Sequence, residues 1–222
     1  MKRLALTGIA TLALALGAFA QTFILDNTSD LVNGVADLTA GSYYNGPYGL
    51  EVFQLNPVPT GAALNSLLAS INGTSASLGA NLGSAGLAVM TAAGSGFTSY
   101  APITGQTMAN GYISGLGQYT MAGVPAGANV VLGLAVWNSS GAQSTATHLG
   151  VIAFQQSTVS TTSSPPGIPL DIVGGGQPAG FGWNSVDGTG ADLVMTTLVP
   201  EPGTLALAGL GVAALLIFRR RK

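Results

Sequence analysis

His148 is the only histidine of the 222-residue chain, and there is no cysteine. A general base or a metal site draws on such a group, but its neighbours Thr147 and Leu149 offer it neither a carboxylate nor a nucleophile. No G-x-S-x-G elbow frames any of the serines, so His148 is expected to be a surface-loop residue. Asp187 and Asp192 flank the stretch Asp-Gly-Thr-Gly-Ala-Asp. Carboxylates on flexible backbone are the hard oxygen donors that Ca²⁺ takes. No glutamate completes an EF-hand register, however, and Asp with Gly is ordinary turn chemistry, so a turn is expected there. Asp26, Asp30 and Asp37 read as a solvated face that serves solubility. Glycoside hydrolysis needs two facing carboxylates, one with a raised pKa. The seven acids Asp26, Asp30, Asp37, Glu51, Asp171, Asp187 and Asp192 are scattered, and their spacing selects no pair. Trp137 and Trp183 could stack on sugars or pack in a core. Asn27-Thr-Ser, Asn72-Gly-Thr and Asn138-Ser-Ser match the glycosylation triplet, and the Ser/Thr-rich stretch 157–164 is a further modification candidate.

The elements that would carry these residues are short and punctuated by turn residues. Thr22–Leu25 reads as a first strand, followed by a turn through Asp26–Ser29. Asn45-Gly46 offers a hairpin turn that Pro47 opposes, so a looser loop fits equally, with a strand at Gly49–Leu55. Leu64, Leu67, Leu68 and Ile71 recur at spacings of three and four and predict a helix over 61–71, ended by Asn72-Gly73. Residues 87–90 and 111–121 read as strands. In the segment after Ala128, Val130, Leu132, Leu134 and Val136 face one way, while Val131, Gly133, Ala135 and Trp137 face the other. Both faces are apolar, as in a buried central strand. Asn138–Gly141 forms a turn, Leu149–Phe154 a partner strand, residues 157–167 a surface loop, and Asp192–Leu198 the last strand. The pattern predicts an all-β fold, a β-sandwich or jelly-roll-like domain.

Charge is distributed unevenly. All six basic residues lie at the two ends, Lys2 and Arg3 at the front and Arg219, Arg220, Arg221 and Lys222 at the back. Residues 21–199 hold seven acids and no Lys or Arg, a formal charge near −7 with His148 neutral. A domain without cations cannot neutralise phosphates, which excludes nucleic acid as a partner. No feature calls for a cofactor. Absence of Cys removes disulfides and thiolate chemistry.

Lys2-Arg3, the apolar run 4–17 and the small-x-small site Ala18-Phe19-Ala20 predict a secretory signal peptide over 1–20, cut after Ala20 by signal peptidase. The exported domain is 21–198. The tail 199–222 has three parts: Pro200-Glu201-Pro202, an apolar run over 203–218, and the basic stop Arg219–Lys222. Sixteen residues of helix rise about 24 Å, which spans a membrane with thinning and snorkelling at its flanks. The cations stay on the cytoplasmic side, leaving 21–199 outside.

That tail resembles the PEP-CTERM sorting signal of Gram-negative bacteria. The resemblance implies that an exosortase, a membrane-embedded cysteine transpeptidase, recognises and cuts at Pro200–Pro202. The helix and basic cluster would hold the chain in the inner membrane, facing the periplasm, until then. It implies delivery to the cell surface or its exopolysaccharide, and concerns about a tenth of the chain. The remainder loosely resembles uncharacterised Gly-rich secreted members, through Tyr44–Pro47 and the strand ending at Trp137-Asn138. The expected role is structural or binding, without enzymatic activity. An extracellular carbohydrate-active enzyme, and a protein held permanently in the inner membrane by its tail, are the alternatives.

Overall fold

The computed structural model describes residues 21–28, 34–37, 42–73, 82–116, 118–121, 124, 128–157, 170–172, 180–183 and 192–198. The signal peptide expected over 1–20, residues 158–167 of the expected surface loop, Asp30, Asp187 and the whole of 199–222, with the membrane segment expected over 203–218, lie outside the described residues.

The fold is built around strand β7, Asn129–Trp137, whose residues from Val130 onward are all buried. It pairs antiparallel with β3 (Gly46–Leu55) on one side and β8 (His148–Ser157) on the other. Alternation of side chains along a strand sends Val130, Leu132, Leu134 and Val136 into one core and Val131, Ala135 and Trp137 into a second, the two faces expected from the sequence. The sheet extends past β3 to β4 (Phe97–Ser99) and β5 (Ile103–Met108), which divide the length of that strand between them. Past β8 it extends to β10 (Leu193–Thr197), which pairs in parallel with β2 (Val35–Asp37). A three-stranded sheet carries β1 (Gln21–Ile24) between β6 (Gln118–Met121) and β9 (Leu170–Asp171). Phe23 of β1 and Met121 of β6 join the first core, together with Trp183 and Ile172.

The second core is covered by two helices, α1 (Ala62–Asn72) and α2 (Leu82–Thr91). The first meets the expectation for 61–71, buries Leu64 and Ile71, and stops at Gly73, whose φ of +73° favours glycine. The second corrects the strand expected at 87–90. Gly83, Gly86 and Met90 are buried at spacings of three and four, a helical stripe that the apolar run Leu-Ala-Val-Met obscures when read alone. A Cβ on Gly83 would lie 2.3 Å from the Leu149 carbonyl oxygen, and one on Gly86 2.5 Å from that of Ile71. These two glycines let α2 seat its backbone directly on β8 and α1. Residues 111–121 are corrected as well. Gly111 and Gly115 have φ of +73° and +72°, which interrupts the run and leaves a strand only over 118–121. Asn45-Gly46 makes no hairpin, since Gly46 already opens β3 and Tyr43 bridges back to Ala36. The fold is therefore mostly sheet with few helices, in line with the all-β expectation.

The upper end of the pH scale should expose this packing. Burial, with a lesser contribution from the Asp26 carboxylate, pushes the Tyr48 phenol up to about 12. Burial also raises Tyr119, and burial followed by Asp37 raises Tyr44. An unfolded tyrosine ionises near about 10. The folded pKa lies higher, so the contribution of Tyr48 is fully present below pH 10 and is lost as pH rises towards about 12. Urea midpoints are expected to fall across that window, and Tyr48→Phe to flatten the fall. A Phe variant with the unchanged alkaline slope would assign it to other groups.

Candidate functional site

Polar side chains converge beside Leu198, the last of the described residues. The β7–β8 turn runs from Asn138 to Thr147 and contains a short 3-10 turn at Gln143–Thr145. Asn138 organises it with its whole amide. Its Oδ1 accepts from the backbone N–H of Thr147 at 2.9 Å and of His148 at 2.8 Å. Its Nδ2 lies 2.8 Å from both Thr147 Oγ1 and His148 Nδ1. Ser139 and Thr145 hydroxyls meet at 2.8 Å, and Thr145 Oγ1 donates to the Ala142 carbonyl at 2.7 Å. Trp137, 1% exposed, donates Nε1–H to the Gly141 carbonyl at 3.0 Å. Its indole lies so close over Gly49 that a Cβ there would stand 2.5 Å from Cε2 and Nε1. From β5, Gly105 N–H reaches the Ser140 carbonyl at 2.9 Å.

Strand β10 brings Leu198 to this turn. Thr196 and Thr197 pair with Leu149 and His148. Leu198 then donates its N–H to the Thr147 carbonyl at 2.7 Å, and its side chain packs against the cluster that contains Trp137 and Leu149. The sequence places Pro200-Glu201-Pro202 two residues further on.

His148 is therefore not a loop residue: it opens β8, half-buried, with Nδ1 held by Asn138 and Thr147. Asp26 turns its carboxylate onto Thr28, accepting from N–H at 2.7 Å and Oγ1 at 2.6 Å. Asp192 accepts from Gly34 N–H at 3.1 Å. Asp187, the other carboxylate of the stretch expected to form a turn, lies outside the described residues. Asp37 is only half solvated and its Oδ1 is buried. Glu51 accepts from the Ser99 hydroxyl. Among the described residues no group of three or more His, Cys, Asp or Glu could hold a metal ion.

Trp137 and Trp183 are both buried, 1% and 0% exposed, so neither presents a face to a sugar. Tyr43 and Tyr112 are half-exposed instead, stacked with ring centroids 6.4 Å apart and planes at 30°. The three glycosylation triplets are also reassigned. Asn27 is fully buried; its Oδ1 accepts from Ile113 N–H at 2.6 Å and its Nδ2 donates to the Gly111 carbonyl at 3.3 Å. Asn72 pairs with both backbone groups of Ala153, donating at 2.8 Å and accepting at 2.7 Å. With Asn138, these side chains act as stand-ins for a neighbouring strand, satisfying backbone groups that sheet pairing leaves over. Asn72 and the Gly182 N–H, which reaches the Gln155 carbonyl at 2.7 Å, between them close the stretch of β8 that lies beyond β10. Sequence reasoning missed this role for all three asparagines.

Residues 198–222 match the family model described as the PEP-CTERM protein-sorting motif. The chain thus carries the sorting signal of exported, surface-directed proteins, and the match begins at Leu198, the last of the described residues. No curated protein and no solved structure matches the chain. Among the described residues no helix is long and apolar enough to cross a membrane.

Proposed function

We propose that the chain is a non-enzymatic structural or binding protein, exported through cleavage after Ala20 and processed at Pro200–Pro202 by an exosortase. Before that cut it stands in the inner membrane on the 203–218 segment, facing the periplasm, with Arg219–Lys222 on the cytoplasmic side. Afterwards residues 21–198, a two-sheet sandwich with a helical cover, reach the cell surface or its exopolysaccharide. The observation that carries this reading is the sorting motif matched at 198–222, directly abutting the folded domain. Favouring a structural over a catalytic role, the polar side chains best placed for chemistry are spent on backbone. Asn138 serves Thr147 and His148, Asn27 serves Ile113, and Asn72 serves Ala153. The half-exposed Tyr43–Tyr112 pair supports association with neutral polysaccharide, because aromatic faces pack on sugar rings and the domain's negative charge repels acidic polymers.

Intact masses from each envelope fraction and from the medium test it. The parent chain is expected to yield a species that begins at Gln21 and ends within 200–202. Replacing Pro200, Glu201 and Pro202 together by alanine should abolish that C-terminal cut while leaving the folded domain's urea midpoint unchanged. Normal cutting of the triple variant would overturn the sorting assignment. A parent protein that retains Arg219–Lys222 would make the tail a permanent anchor.

A further inference from the structure

We propose that the β7–β8 turn, Asn138–Thr147, is a docking surface for the processing enzyme, so that the folded domain takes part in recognition of its own tail. This rests on the reading that the tail is cut at Pro200–Pro202.

The argument begins with reach. Leu198 is tied to the turn through the Thr147 carbonyl at 2.7 Å and is packed against the Trp137 and Leu149 cluster. Only Val199 separates it from Pro200, a span of at most about 7 Å. The apolar run starts at Gly203, at most about 18 Å along the chain from Leu198. An enzyme embedded in the membrane and closing on that tripeptide must therefore meet whatever flanks Leu198. What flanks it is this turn.

The turn has the properties of a contact surface. Ser140, Ala142, Ser144, Thr145 and Thr147 are exposed, and the ten residues contain no charge although the domain carries seven acids. Charged groups are depleted at the centres of protein interfaces because stripping their water is expensive. The turn is also preorganised. Asn138, the Ser139–Thr145 hydroxyl pair, Trp137 and Gly105 fix it from four directions. Little conformational entropy is then lost when it is docked.

The test uses the full chain in cells that contain its processing enzyme. Ala142→Glu with Ser144→Glu places bulk and charge on exposed positions of the turn. Processing is expected to slow about tenfold or more, equivalent to the loss of one good contact. Ala92→Glu with Ala93→Glu, on exposed positions after α2 at the far end of the sheet, is expected to be processed at the parent rate. Inserting a Gly/Ser linker of about twelve residues between Leu198 and Val199 relaxes the enforced proximity. It should bring the turn variant back towards the parent rate. A photoreactive residue at position 144 should crosslink to the processing enzyme itself.

A turn variant cut at the parent rate, or slowed no more than the α2 variant, would overturn the proposal. So would a linker that restores nothing, or crosslinks to lipid alone. The alanine triple variant at 200–202 separates this outcome from failure of the sorting reading. Its normal cutting would remove the tail signal itself, whatever the turn does.

Discussion

Gly49→Ala is expected to destabilise the domain by about 3 kcal/mol, at the upper end of what overpacking a well-filled core costs. A midpoint lower by about 10 °C would accompany it in a protein of this size. The new Cβ would stand 2.5 Å from the Trp137 indole, with Cζ2 at 2.7 Å. That ring is a rigid plane, 1% exposed, and it cannot swing aside without breaking its hydrogen bond to Gly141. Displacing it disturbs the β7–β8 turn, and with it the Thr147 carbonyl that holds Leu198. Hydrogen exchange at the Leu198 amide should therefore accelerate more than global destabilisation accounts for. Gly105→Ala supplies the contrast. Its φ is +75° but nothing lies within 4 Å of the added carbon, so only backbone strain of about 1 kcal/mol is expected. If the two substitutions cost the same, the close approach of Trp137 over Gly49 would not be what Gly49 is there to permit.

Asn27→Ala is expected to cost a similar amount, about 3 kcal/mol, for a different reason. The Ile113 N–H loses the Asn27 Oδ1 acceptor in a fully buried position, and an alanine side chain offers none in its place. The Gly111 carbonyl keeps the Val35 N–H at 2.9 Å, so the penalty falls mainly on one donor. Asn27→Asp retains an acceptor but buries a charge whose second oxygen would face the Gly111 carbonyl. Burial raises a carboxyl pKa. That variant should therefore be most stable in acid, where the group is protonated as in the folded state, and should weaken as pH rises through the ordinary carboxyl range. Urea titrations of both variants at low and neutral pH read this directly. An alanine variant within about 1 kcal/mol of the parent would mean that water or a shifted backbone satisfies Ile113 instead.

The asparagine result bears on how Asn-x-Ser/Thr triplets in such chains are read. In two of the three the amide is committed to main chain far from it in sequence, 86 residues away for Asn27 and Ile113 and 81 for Asn72 and Ala153, while Asn138 serves Thr147 and His148, 9 and 10 residues on. A glycan on Asn27 would break its buried bonds to Ile113 and Gly111, and one on Asn72 would cost β8 its edge partner at Ala153. Among the described residues, the uncharged β7–β8 turn and the half-exposed Tyr43–Tyr112 pair are the surfaces on which the two proposals above rest.

By itself the sequence determined the features that depend on local order. The sorting motif matched at 198–222 is a contiguous stretch, so the order of its tripeptide, apolar run and basic stop is legible without a fold. The two-faced burial of β7 was equally legible, because alternation along 130–137 is a local period, and so was α1 from its three-and-four spacing. Tertiary structure alone decided the rest. The Leu-Ala-Val-Met run is apolar under either a strand or a helix period, and it became helical because Gly83 and Gly86 let α2 close on the Leu149 and Ile71 carbonyls. His148 moved from loop to strand because Asn138 binds its N–H and ring, and Trp137 and Trp183 proved to be core. A hydrogen bond across eighty residues leaves no period in the sequence, and a missing Cβ is informative only once its neighbour is known. What long-range packing fixes is therefore which polar groups are consumed by the fold and which remain for function.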